Sequence, residues 1–167
     1  MHDEEKPSIL VVDDVAEDLS LMTRKLHQCK VLNPIVGLSG GDDCIDWFKR
    51  NGSHFPVLVL LDLIMYPTNG LNVLQTLRDM GILDRLTVVM LSGIRDVKMI
   101  HQGYQLGAQT FLVKPVNCED IMQMIGALKN LRVEDTAEGY VLRFAGAGAR
   151  DARNQTAFIN RAGEFRA

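Results

Sequence analysis

Four apolar runs of this chain each end on a residue that can do chemistry. Ile9-Leu10-Val11-Val12 runs into Asp13 and Asp14, and Val57-Leu58-Val59-Leu60-Leu61 runs into Asp62. Thr87-Val88-Val89-Met90-Leu91 ends at Ser92, and Phe111-Leu112-Val113 ends at Lys114, which Pro115 immediately follows. If these runs are parallel neighbours in one sheet, three carboxylates, a hydroxyl and an ammonium converge beyond the carboxyl ends of the strands, where open α/β sheets place their sites. That set suits metal-assisted phosphoryl transfer to a carboxylate. Crowded carboxylates repel one another and raise their own pKa values, a conflict that a divalent cation removes. Oxygen-only ligands and a charged phosphoryl donor favour Mg²⁺, with Mn²⁺ as a substitute.

Singly, each of these residues has a plainer explanation. Asp13 and Asp14 before a helix could only complement its dipole, Asp62 and Ser92 could be turn residues, and Lys114-Pro115 could be an ordinary strand stop. The chemical reading rests on all four occurring after successive strands of one chain.

The elements that must position them alternate regularly. Leu19, Met22, Leu26 and Cys29 fall on one face of a helix from about Asp18, and Pro34 to Leu38 reads as a second strand. Gly41-Asp42-Asp43 opens a second helix, carrying Trp47 and Phe48, that Asn51-Gly52 stops. Asn69-Gly70 starts a third helix ended by Gly81, and a fourth runs from about Asp96 to Leu106, closed by Gly107. Thr110 to Val113 is the fifth strand. Asn117 caps a last helix with Ile121, Met124, Ile125, Leu128 and Leu131 on its buried face. Five β-α units with short links predict a flavodoxin-like (βα)5 doubly wound sheet, five parallel strands in order 2-1-3-4-5 with helices on both faces.

The 167 residues allow one full domain plus a modest extension. A net charge of -3 with mixed signs argues against a general nucleic-acid or membrane-surface binder. Cys29, Cys44 and Cys118 show no metal-ligand spacing, and their odd number and scatter predict reduced thiols, hence a cytoplasmic setting. His2, His27, His54 and His101 likewise form no ligand pattern. No signal peptide or membrane span is visible.

Over residues 7 to 131 the chain resembles the receiver domain of two-component response regulators, the CheY-like family. The resemblance rests on Val12-Asp13-Asp14, on Asp62-Leu63 with Met65 and Gly70, on Ser92, and on Lys114-Pro115. Asn33-Pro34-Ile35, Gly103 to Ala108 and Phe111 to Val116 look most like stand-alone single-domain receivers, including those paired with phytochrome-type histidine kinases. The resemblance implies that Asp62 is the phosphoacceptor, and that Asp13, Asp14, Asp62 and the backbone carbonyl of Ile64 hold the metal. It also implies that Lys114 binds phosphate, that Ser92 is the switch hydroxyl, and that Phe111 is the switch aromatic, turning inward as Ser92 is drawn to the phosphoryl group. Gly93, Ile64, Ile94 and Pro115 would flank the site. A cognate histidine kinase would be the donor, and a downstream protein or phosphotransfer protein the recipient of the signal. A homodimer through helix 4, strand 5 and helix 5 is a further option. The chain would be no enzyme beyond self-catalysed phosphoryl transfer and slow autodephosphorylation.

Three features depart from that pattern or compete with it. Tyr66 stands where the family's usual proline follows the phosphoacceptor, with Pro67 displaced by one, so a rearranged loop is expected. Residues 132–167 change character after a receiver domain of residues 1–131 and read as a largely flexible C-terminal extension. Its six arginines are nearly offset by five acids, and Tyr140 to Phe144 could form one short strand or a docking segment. A phosphatase of the haloacid-dehalogenase type would also use a strand-end Asp nucleophile, but needs a second Asp two residues on, where this chain has Ile64 or Val15.

Overall fold

In a computed structural model of the chain, the described residues are 5–93 and 96–146. Strands β1 (Ile9–Val12), β2 (Ile35–Leu38), β3 (Leu58–Asp62), β4 (Val88–Ser92) and β5 (Thr110–Val113) form one parallel sheet in the order β2-β1-β3-β4-β5. Helices α1 (Ala16–Gln28), α2 (Gly41–Asn51), α3 (Gly70–Asp79), α4 (Val97–Leu106) and α5 (Cys118–Ala127) connect and follow the strands. This is the flavodoxin-like arrangement that the alternation predicts.

Because successive strand residues point to opposite faces, each apolar run feeds two cores at once. Ile9 and Val11, Leu58 and Leu60, Val89 and Leu91, and Leu112 pack with Met22 and Leu26 of α1 and Ile121, Met124 and Ile125 of α5. Leu10 and Val12, Val59 and Leu61, Val88 and Met90, and Phe111 pack against Phe48 of α2 and Val73, Leu74 and Leu77 of α3. The central strands β1, β3 and β4 are buried along their whole length. Polar side chains enter these strands only at their carboxyl ends, where Asp62 and Ser92 are themselves buried.

Helix starts follow local chemistry. Asn69 and Asn117 each close a capping box, with Asn72 and Asp120 respectively, and the Asp96 carboxylate accepts from the Lys98 and Met99 amides. Gly107 ends α4 at φ 115°, a conformation glycine adopts without steric cost. Helix α1 has no such side-chain cap at Val15.

Two expectations change here. Leu131 belongs to a strand and not to the last helix: Leu128 is already extended, and the chain turns into an antiparallel hairpin of β6 (Leu131–Asp135) and β7 (Tyr140–Phe144). Leu131 is buried in either setting, so an apolar residue three past Leu128 mimics continued helical spacing. Cys29 and Cys118, expected as separate reduced thiols, are joined as a disulfide with Cα atoms 5.6 Å apart. Their sequence separation of 89 hides a proximity that arises when α1 packs beside α5. Cys44 is free and buried, and burial pushes its thiol up to about 12.

The hairpin closes against the segment before β2. The Tyr140 amide donates to the Lys30 carbonyl and the Leu32 amide to the Tyr140 carbonyl, both at 2.8 Å. Buried Asn33 donates to the Pro7 and Leu142 carbonyls and accepts from the Leu142 amide. Gly139 lies so close to Lys30 that a side chain there would collide with its carbonyl. No described helix is long and apolar enough to cross a membrane.

Candidate functional site

The sheet register brings the four strand ends together. Asp13 follows β1, Asp62 ends β3, Ser92 ends β4 and Lys114 follows β5, with Val12 beside Leu61, Asp62 beside Leu91 and Ser92 beside Val113. Asp13, Asp62 and Ser92 are buried, and Asp14 is exposed. Asp13, Asp14 and Asp62 each offer a carboxylate oxygen, all within 4.8 Å of one another.

Lys114 reaches into this cluster. Its Nζ donates to Asp13 Oδ2 at 2.7 Å and to Asp18 Oδ2 at 3.0 Å, and stands 3.5 Å from Asp62 Oδ2. The other Asp13 oxygen accepts from the Val15 amide at 2.9 Å, so that carboxylate is held from both sides. The Tyr66 amide donates to Asp14 Oδ2 at 3.1 Å. Tyr66-Pro67 and Lys114-Pro115 are both cis, and the Tyr66 side chain stands exposed. The displaced proline thus leaves the loop able to hold Asp14 by its backbone.

Charge in the cluster is out of balance. Burial pushes the Asp62 carboxyl up to about 6, and the neighbouring Asp13 charge adds to this, while the Lys114 ammonium and the Ile64 backbone amide pull the other way. For Lys114, burial favours the neutral amine, but the bonds to Asp13 and Asp18 and the Asp62 charge prevail and raise its pKa. A cluster of hard oxygen donors with surplus negative charge suits a hard divalent cation.

Glycine makes room at two points. A Cβ on Gly70 would lie 2.5 Å from the Asp62 carbonyl and 2.7 Å from Met90 Cε, so only glycine lets α3 start this close to the site. A Cβ on Gly103 would lie 2.5 Å from Phe111 Cζ. Phe111 is correspondingly packed inward, 1% exposed, with its ring centroid 5.1 Å from that of Tyr104. The inward position expected after a switch is already taken up here.

Ile64 is half-buried beside the site, whereas Gly93 and Pro115 are exposed at its edge. Ile94 lies outside the described residues. Sequence reasoning missed three contributors: Asp18 as an acceptor for Lys114, the Tyr66 amide, and Gly103 behind Phe111. Asp18 was visible only as an acid in a helical first turn, and nothing in its spacing signalled a partner 96 residues away.

Residues 9–126 match the response regulator receiver domain as a family. The chain belongs to the response regulator receiver family. Among solved structures, the bacteriophytochrome response regulator AtBRR is 34% identical, with a TM-score of 0.64 over 73% of this chain and 91% of its own. The bacteriophytochrome response regulator RtBRR is 29% identical, with a TM-score of 0.70 over 80% of this receiver and 84% of its own chain. Response regulator Rcp1 of Synechocystis sp. is 26% identical over 80% of this chain and 95% of its own length. The chain spans about half the length of two further curated relatives, 45% and 46%, each called "Probable transcriptional regulator ycf27", from Porphyridium aerugineum and Guillardia theta.

Proposed function

We propose that this receiver accepts a phosphoryl group on Asp62 from a histidine kinase, in a reaction that requires Mg²⁺, and passes the signal on by protein–protein contact. The observation that carries this reading is the placement of the Lys114 ammonium against the Asp13 and Asp62 carboxylates at the carboxyl ends of adjacent parallel strands. Asp13, Asp14 and Asp62, with the Ile64 carbonyl, would hold the metal, which when bound neutralises phosphoryl and carboxylate oxygens. Asp62 attacks phosphorus in line. One Asp62 Oδ–P bond forms as the P–N bond to the donor imidazole breaks, and the imidazole keeps the electron pair. Lys114 and Ser92 stabilise the equatorial oxygens of the transferring group.

The receiver is taken as residues 1–131 and the extension as 132–167. Residues to 144 of the extension lie in the hairpin against the receiver, and residues 147–167 lie outside the described ones. Helix α4, β5 and α5 form the proposed output face, open to a downstream protein, a phosphotransfer protein or a second copy. A phytochrome-type kinase as the donor completes the proposal, resting on likeness to the bacteriophytochrome regulators, whereas a cytoplasmic setting rests on the receiver family alone, because the Cys29–Cys118 disulfide removes the reduced-thiol argument for it.

The test is incubation with Mg²⁺ and a small phosphoryl donor, followed by intact-mass measurement. An adduct of one phosphoryl group that is base-labile, needs the metal and is abolished by Asp62→Asn is expected. Full phosphorylation of the Asp62→Asn protein overturns the assignment.

A further inference from the structure

We infer that Asp18 is a latch that holds the Lys114 ammonium toward α1 in the resting protein and must yield it before Lys114 can serve a phosphoryl group on Asp62. This deepens the proposed phosphoacceptor role and rests on it. The ammonium has three donors, and its two short bonds go to Asp13 at 2.7 Å and Asp18 at 3.0 Å. Asp62 receives none of comparable length: the gap is 3.5 Å, beyond the usual range for an N–H···O bond. Of the three carboxylates around Lys114, the one that would carry the phosphoryl group is therefore the one it contacts least.

The two holders differ in kind. The Asp13 side chain is 2% exposed and fixed by the Val15 amide, so it cannot follow or release the ammonium. The Asp18 side chain is 42% exposed, on the first turn of α1, and can turn into water when the ammonium moves. Its bond is thus the one that gives way. A half-exposed ion pair of this kind is weak enough to be broken by an incoming phosphoryl charge. It is also strong enough to bias where a flexible lysine rests. Asp18 is a positioning residue: it acts through Lys114 and touches neither Asp62 nor the proposed metal ligands in any contact described above.

Beryllofluoride, a phosphoryl mimic for carboxylates, tests this with the full chain in Mg²⁺ buffer. Asp18→Asn keeps the shape and removes the charge at a half-exposed position. It is expected to tighten beryllofluoride binding by about twofold to fivefold, the range an ion pair of this exposure supports. Glu17→Gln removes the same charge from the adjacent exposed position, with no contact to Lys114, and should change nothing. In metal-free buffer, the ammonium NMR signal of Lys114 should shift in Asp18→Asn, stay put in Glu17→Gln and return in Asp18→Glu. Parent-like or weaker beryllofluoride binding by Asp18→Asn overturns the latch, as does equal tightening in Glu17→Gln. Absence of beryllofluoride binding by the parent instead overturns the phosphoacceptor reading, while the metal-free signal still reports whether Asp18 holds the ammonium.

Discussion

Asn33 and Lys114 both place a buried or half-buried polar group between distant segments, yet the two nodes are built on opposite principles. Asn33 donates to Pro7 and Leu142 at 2.9 Å and accepts from the Leu142 amide at 2.7 Å, so neutral donors meet neutral acceptors. Lys114 offers one positive charge to Asp13, Asp18 and Asp62, with Asp14 close behind. The first node is satisfied and needs nothing more. The second carries surplus negative charge in a place where water cannot screen it well. Buried polarity alone does not mark a functional site. Imbalance does, because it is relieved only by something that binds.

The sharpest way to break this comparison is to delete each node and measure stability by urea unfolding without metal. Asn33→Leu strands the buried Leu142 amide and carbonyl and the half-buried Pro7 carbonyl, the buried pair costing about 1 to 3 kcal/mol each, so a loss of roughly 3 kcal/mol is expected. Asp62→Asn should do the reverse. Its folded pKa of about 6 lies above the ordinary 3.8, so the folded state holds a proton that the unfolded chain has already lost. Stability from this group is therefore present below pH ~4 and falls as pH rises to ~6. Above that, the ionised carboxylate costs up to about 3 kcal/mol, which Asn removes. The Asn variant should be more stable at pH 7.5 and lose the fall between pH 4 and 6. A destabilised Asp62→Asn protein would show that its carboxylate is satisfied after all.

What could be read from the chain follows the same division. The apolar strands and the order of the sheet were legible because each run is buried on both faces and because parallel crossovers have one hand. Asp13, Asp14, Asp62, Ser92 and Lys114 were legible because a strand's carboxyl end is a fixed address. Asp18 was not: a first-turn helical acid already has a sufficient reason to exist in the helix dipole. The Asn33 clamp was equally hidden, since the hairpin it holds follows a helix whose apolar spacing runs on through Leu131. The Cys29–Cys118 pair needed the packing of α1 beside α5, which spacing along the sequence does not encode.

A smaller effect sharpens the contrast between packing and chemistry. In α4, Gly103→Ala gains about 1 kcal/mol of helix propensity but drives a methyl within 2.5 Å of Phe111, and overpacking of that kind costs about 1 to 3 kcal/mol. The net is a loss of about 1 kcal/mol with Asp62 chemistry unchanged. In α5, Gly126→Ala meets nothing within 4 Å and should stabilise by about 0.5 to 1 kcal/mol. Thermal unfolding of the two variants side by side checks both signs. Equal stabilisation would mean that Phe111 is free to move aside.

The finest test concerns the lifetime of the proposed aspartyl phosphate. Hydrolysis needs a water in line opposite Asp62, and the side chains two positions after Asp62 and two after Ser92, Ile64 and Ile94, flank that approach in the family pattern. Ile64 is half-buried against the α2–α4 core while its backbone amide donates to Asp62, so its side chain is anchored beside the acceptor. A branched apolar group there gives the water no hydrogen-bond partner and fills part of its path. Ile64→Asn supplies a partner and, being smaller, also opens part of the path. Decay of the phosphorylated protein in Mg²⁺ buffer should quicken about fivefold, equivalent to roughly 1 kcal/mol of barrier. Because the backbone amide is unchanged, the extent of phosphorylation by a small donor should fall only as far as faster decay requires. An unchanged decay rate would leave Ile64 as a packing residue and would place control of the water elsewhere in the site.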